Sequence, residues 1–490
     1  MDHSKLSDHY FKKGKFITPW NNLLGNMSVS TNWFNDRMPE YLWLGLILDY
    51  LGRKNGLEKC YEIIMKLNEI SENKNSLAWS EIIAIDDEKQ NQIFDFIIEK
   101  IDKNVLNPLT IIFTYSKCPI FAVKFFEENS TYIKRKEIVE KVIEKSYGHQ
   151  TDFATDIRFL IVYYSLIKEK IHIPKDELDL LLRYPHIEHS NSEMHIIRPS
   201  IRSLELVTAD FKVINENFIN EFWERISKIM ECKPFYIEYK EQNYDTDIYI
   251  EKIRNIIEYL SEILCKVDQM DSKKNVLVGI ATYSYKLVCE IEKYNLYNTI
   301  SARLLIRCLI ENYIMMKYLI KREKEHQNIW EEYKYYGIGL YKLIVERYRE
   351  SNIENNGNRH INYEYLDLLI NEFIGEEYID MDTRYFDKQN IREKANYVGE
   401  KELYGLYYDY DSSFEHGLWG AIRESALIKC NSPSHQYHCI PDYKNEQKLK
   451  SVWNDTITIM NKIVFLLDEL YELPYKMIEE VKKFEQSNNG

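Results

Sequence analysis

The chain has 490 residues, of which 45% are hydrophobic and 29% charged, and its formal net charge is −14. That length exceeds what one hydrophobic core serves, and the balance is that of a globular chain, with disorder expected only at ends such as the polar tail Glu485–Gly490. The acidic excess argues against a general electrostatic grip on nucleic acid or on an anionic membrane, while leaving room for a local basic patch or a transient RNA contact.

Glycine (16) and proline (11) are scarce. A sheet-rich fold of this size needs many tight turns, so their scarcity favours long helices with few connections. The eight cysteines are scattered, with no C-x-x-C pair, and most fall in apolar helical stretches, which fits a reducing, cytoplasmic setting. Met1–Lys15 is polar and lacks an apolar signal core. The most apolar stretches, Tyr41–Leu51 and Leu304–Ile320, are too short or too charged to span a bilayer.

Residues 1 to about 32 read as irregular. Asp36-Arg37-Met38-Pro39 then opens a helix, with Asp36 as cap and Pro39 in the first turn, and Gly52 closes it. Amphipathic helices follow over Glu58–Ile70, Glu88–Ile101, Leu109–Phe126, Lys136–Lys145, Asp152–Lys168 and Phe218–Met230, with Arg183–Pro199 read as a loop. No strict repeat is present, so an irregular stack of helix pairs is expected for residues 1–242. The break at Cys232–Thr246 places a domain boundary near residue 242. Residues 243–490 predict a helical bundle: Asp247–Val267, Lys273–Tyr294, Ile300–Arg322, Glu325–Glu350, a shorter Tyr363–Glu372 after the Asn-rich loop Ser351–His360, Asp411–Ile428 and Asn445–Leu473. The fold class is therefore all-α, an irregular N-terminal stack followed by a C-terminal bundle.

Two segments of the second half carry polar groups at helical spacing. Arg303, Arg307 and Glu311 recur every four residues within a strongly apolar helix. Charges on such a helix are costly to bury unless paired, so the stripe is either an Arg–Glu pair on the solvent side or the polar floor of a site inside the bundle. Tyr408, Ser412 and His416 are also four apart, and share a face if their helix starts early enough; if Asp411 or Ser412 is the cap, only Ser412 and His416 do. On one reading His416 acts as general acid or base with Arg307 stabilising developing negative charge; on the other it hydrogen-bonds a buried partner between helices.

The pattern Arg307-x3-Glu311 with Tyr318-Leu319, followed by Tyr408-x3-Ser412-x3-His416, resembles an uncharacterised bacterial family, domain of unknown function 5677, over roughly residues 250–470. Members of that family look all-helical, and distantly similar to the HEPN helical bundles, many of which are RNases of toxin–antitoxin and phage-defence systems. The first half, with Trp33 and Pro39-Glu40-Tyr41-Leu42-Trp43, resembles the helical region that precedes this domain in some long bacterial proteins. The HEPN RNase motif, R-x4-6-H, has one clear counterpart here, Arg183-x5-His189, which contains Pro185 and lies in the first half. Chemistry in the second half must therefore draw its Arg and His from different helices. The resemblance implies a defence-type or toxin-like protein that cleaves RNA, with Arg307, Glu311, Tyr408, Ser412 and His416 in the site. The alternative is a non-catalytic helical scaffold that binds partner proteins. A protein or RNA partner and a homodimer are compatible with either, and no membrane partner is expected.

One further run, Cys430-x4-His435-x2-His438-Cys439, offers four metal-capable side chains. His438 and Cys439 are adjacent and do not easily reach one tetrahedral centre without a tight loop, so a surface loop flanked by Pro433 and Pro441 is expected, with no metal and no cofactor. No P-loop, dinucleotide fingerprint, H-E-x-x-H or nucleophile elbow is present.

Overall fold

The computed structural model describes residues 7, 9–12, 14–17, 32–70, 77–171, 175–210, 215–240, 245–266, 271–351, 360–371 and 385–487. Among these residues the protein is all-α, as expected, with only short strands. The expected boundary near residue 242 lies outside the described residues, as do most of the irregular opening and of the Ser351–His360 loop, and the end of the C-terminal tail. Two compact units are present. One comprises Met1–Phe235 together with Lys429–His438, the other Tyr236–Ile428 and Cys439–Gly490. A short segment from late in the chain thus belongs to the first unit, an arrangement that no single cut in the sequence describes.

The first unit is built around the Met38–Leu51 helix, buried from Met38 to Leu48 and packed against Arg53–Ile70, Tyr132–Ser146 and Asp152–Ile167. Pro39 stands in its first turn and Gly52 ends it with φ 74°, as the sequence predicts. Its start differs from expectation. A π-helical turn, Trp33–Arg37, precedes it, and Asn32 is the cap, its Oδ1 accepting from the N–H of Phe34 and Asn35; Asp36 instead accepts from the N–H of Asn32. Gly45 is tightly covered by the neighbouring helix: a Cβ there would lie 3.0 Å from Val142 Cγ1.

The run Leu109–Phe126 is not one helix. A 3-10 turn over Asn107–Ile111 ends well before a separate helix, Pro119–Phe125, whose first position suits Pro119 because a missing N–H costs nothing there. Part of the expected loop Arg183–Pro199 is also ordered, as the 3-10 turn Tyr184–His186 and the beginning of the Met194–Asp210 helix, whose Ile197 and Ile201 are buried.

Near this core two buried guanidiniums share one carboxylate. Arg37 Nη1 lies 2.9 Å from both Glu205 oxygens, and Arg158 Nε donates to Glu205 Oε2 at 2.7 Å. Both guanidiniums also face the Trp33 ring, at 5.6 and 5.4 Å. Burial, with Arg37 close by, lowers the Arg158 pKa to about 10.

The second unit centres on the Ile300–Arg322 helix, capped by Thr299 through its bond from the Ala302 N–H. It buries Ile306, Leu309, Ile310, Ile314 and Leu319 against Ser272–Lys293, Ile391–Val398, Asp409–Glu415 and Trp453–Tyr471. Its charges find tertiary partners: Lys317 Nζ and the Tyr313 hydroxyl reach Glu400 Oε1 at 2.5 and 2.7 Å, and Arg322 with the Tyr318 hydroxyl reaches Asp387. The expected helix Asp411–Ile428 is broken. A π-helical turn over Leu403–Tyr408 runs into Asp409–Glu415, Gly417 at φ 56° stops it, a second helix covers Trp419–Ser425, and a strand begins at Leu427.

Replacing Glu205 by alanine leaves two buried cations facing each other without a counter-charge. Urea unfolding of Glu205→Ala is expected to show a loss of about 3–5 kcal/mol, the cost of breaking a buried ion pair. A loss below about 1 kcal/mol would show that the triad is incidental to the first unit's stability.

Candidate functional site

The two polar segments meet on one side of the Ile300–Arg322 helix. Because the π-helical turn begins at Leu403, Tyr408 and Ser412 lie within continuous helical backbone and face that helix together. Arg307 Nε donates to Ser412 Oγ at 2.9 Å and Nη2 to the Tyr408 hydroxyl at 2.5 Å, with the guanidinium 4.5 Å from the Tyr408 ring centre. Glu311, one turn on, lies 3.3 Å from Arg307 Nη1 and accepts from the Tyr408 hydroxyl at 3.2 Å. Four of the five expected residues therefore converge, and Arg307 is mostly shielded while Glu311 is 39% exposed. Burial, then the Glu311 charge, pushes the Tyr408 phenol well above its ordinary range, so it stays a neutral donor.

His416 stands at the edge. It ends the Asp409–Glu415 helix, its side chain is 64% exposed, and its Nε2 is 3.7 Å from Glu415 Oε2. The same Glu415 oxygen lies 2.7 Å from Arg307 Nε. Glu415 is thus the residue that links imidazole to guanidinium. Its place next to His416 and three beyond Ser412 was a usable signal, since it shares the inward side of that turn.

A second group lies behind this cluster. Arg303 is buried, its Nη2 donates to the Lys450 carbonyl at 2.6 Å, and its guanidinium faces the Tyr410 and Phe414 rings at 5.8 and 5.9 Å. Asp411, read from sequence as a possible cap, is instead buried within the helix. Burial raises its pKa to about 7, and Asp455 and Glu424 add to the rise against the opposing Arg303 and Arg307. Asp455 is also raised, chiefly by burial.

The R-x5-H match in the first unit does not converge. Arg183 pairs with Glu193 at 3.3 Å, whereas His189 Nε2 lies 3.1 Å from Asp156 Oδ2. The metal-capable run behaves differently from expectation. Cys430, His435 and His438 come together with Cys232, and not with Cys439.

Residues 274–435 match the model of a family of unknown function, DUF5677. This is the family the sequence resembles, over a narrower span than the 250–470 expected, and it contains Arg307, Glu311, Tyr408, Ser412 and His416. No curated protein and no solved structure matches the chain. Among the described residues no helix is long and apolar enough to cross a membrane.

The Asp411 shift has a consequence for stability. Its folded pKa, about 7, lies above the ordinary 3.8. The folded state therefore holds the proton more tightly than the unfolded state between those values, and stability falls as pH rises through that window. Asp411→Asn, which is neutral at every pH, is expected to flatten the decline in urea-unfolding free energy between about pH 4 and pH 7. An unchanged pH profile in the variant would show that Asp411 does not keep its proton.

Proposed function

We propose that this chain is a non-catalytic helical scaffold whose second unit binds a protein partner along Leu403–Ser425. The observation that carries this reading is the saturation of Arg307. Its guanidinium already meets Ser412, Tyr408, Glu311 and Glu415 of its own chain, so an incoming anion would have to displace two carboxylates. The group works as a clamp that holds the Leu403–Glu415 turn on the central helix.

What the clamp presents outward is apolar. Leu406 is 69% exposed and Trp419 67%, with Tyr407, Leu418 and Ile422 also exposed. The Tyr410 hydroxyl, bonded to Glu424 Oε1 at 2.7 Å, ties the two short helices to one another. Exposed aromatic and aliphatic side chains of this density suit anchor positions of an interface. Asp409 and Glu424 are exposed among them, so the partner segment that fits carries apolar anchors with a basic rim. The net charge of −14 favours the same class of partner over a polyanion.

A second reading, RNA cleavage of the defence type, is favoured by one observation. Glu415 Oε2 lies between Arg307 Nε and an exposed His416 imidazole, which can exchange a proton beside a guanidinium. The two readings separate cleanly. A partner isolated with the full-length protein is titrated against wild type, Trp419→Ala and His416→Ala. Binding weakened about tenfold or more by Trp419→Ala, and unchanged by His416→Ala, is the expected result. Degradation of single-stranded RNA by wild type that His416→Ala abolishes would sink the scaffold reading in favour of the second.

A further inference from the structure

We infer that Cys232, Cys430, His435 and His438 form a structural zinc site in the first unit. Their ligand atoms, two Sγ and two imidazole nitrogens, all lie within 4.8 Å of one another. Cys232 Sγ is 3.6 Å from Cys430 Sγ and 3.8 Å from His438 Nε2, and Cys430 Sγ is 3.9 Å from His435 Nδ1. With Zn–S of about 2.3 Å and Zn–N of about 2.0–2.1 Å, a tetrahedral centre spaces two sulfurs about 3.8 Å apart and sulfur from nitrogen about 3.6 Å. These three edges match within a few tenths of an ångström. Two sulfurs and two imidazoles in a tetrahedron select zinc among the common divalent ions.

The surroundings are those of a ligand set and not of an accidental cluster. The Met230 carbonyl lies 3.1 Å from His435 Nε2. A carbonyl only accepts, so Nε2 carries the proton and Nδ1 turns its lone pair toward the sulfurs, the orientation a metal-bound histidine needs. Cys430 is fully buried, and its Sγ receives the N–H of Lys233 at 3.4 Å and of Ser432 at 3.5 Å, contacts that hold the sulfur in place from outside the cluster. The backbone is bent to bring these side chains together. Lys429 and Cys430 pair antiparallel with Phe235 and Pro234, a 3-10 turn covers Pro433–His435, and Gln436 and Tyr437 both take φ of 51°. Two successive non-glycine residues in the left-handed region are costly, and persist only where the surroundings hold them. Here the Tyr437 ring sits 4.3 Å from the Tyr147 ring centre, and the turn rests on the Glu216–Ile229 and Tyr132–Ser146 helices.

With four protein ligands the centre has no open position, which makes the metal structural. Its work is to fasten Lys429–His438 to the first unit, where that segment has few apolar side chains of its own to bury. Cys439, adjacent to His438, is outside the ligand set.

The test uses the full chain, purified without chelator. Elemental analysis of wild type is expected to give about one zinc per chain, and the cobalt-substituted protein the d–d and thiolate charge-transfer bands of a tetrahedral S2N2 centre. Cys232→Ser and His435→Ala lose the metal, and Cys439→Ser keeps it in full. Because a variant can fail to fold, wild type is also alkylated under native conditions before and after chelator. Cys232 and Cys430 are expected to be protected with metal and to react once it is stripped, with a lower melting temperature. Metal-free protein whose Cys232 and Cys430 are joined as a disulfide overturns the proposal, as does metal that survives Cys232→Ser or is lost with Cys439→Ser.

Discussion

A guanidinium withdrawn from water must find acceptors for its N–H donors and a counter-charge, and this requirement organises both units. In the first, Arg37 and Arg158 converge on Glu205 from separate helices. In the second, Arg307 gathers Glu311, Tyr408, Ser412 and Glu415. An Arg placed N-terminal to a Glu at i,i+4 is the weaker order for an isolated helix, because it opposes the helix dipole. The Arg307–Glu311 pair therefore contributes little alone. Its value comes from the tertiary partners, which convert a helix-surface pair into a bolt between the central helix and the Leu403–Glu415 turn. The Leu403–Glu415 segment, in turn, determines where Leu406, Tyr407 and Tyr410 point.

The helices were legible wherever local chemistry marked both ends. Ile300–Arg322 matches its expected range because Thr299 caps it and a basic pair closes it, and Asp271 likewise fixes the start of Ser272–Lys293. Errors fell where a local rule was read over too long a window. Pro119 restarts the chain inside an apolar run, and Gly417 stops it inside another. The π-helical turns at Trp33–Arg37 and Leu403–Tyr408 have no sequence rule of comparable strength, since they arise from how a segment seats on its neighbours.

Spacing by four brought Arg307, Glu311, Tyr408 and Ser412 into view, and the structure joins them. The same spacing did not carry His416 into the cluster: its N–H still reaches the Ser412 carbonyl at 3.1 Å, but at the helix end its side chain stands 64% exposed, 3.7 Å from Glu415. Asp411 came into view only as a possible cap, and Asp455 not at all, for a different reason. A carboxylate on an amphipathic helix is read as solvated, and only the three-dimensional packing reveals that burial holds a proton on it.

The two polar clusters differ in how their charges balance. Around Arg307 the signs alternate, cation against carboxylates with hydroxyls between, and the cluster is complete without any added group. Around Cys430 four ligand atoms lie within 4.8 Å of one another, and the Met230 carbonyl holds the His435 proton on Nε2, on the side away from the sulfurs. Donors so arranged repel one another unless protons or a cation stand between them. The adjacency of His438 and Cys439 was a sound objection to pairing those two in one centre. Its resolution lay at Cys232, 198 residues before Cys430, in a stretch of chain that no local spacing rule connects to the loop. The saturated cluster has no need of a partner to be stable, and the lone-pair cluster does. That contrast is why the Arg307 group reads as a fastening within the fold and the cysteine–histidine group as a place for something the chain itself does not supply.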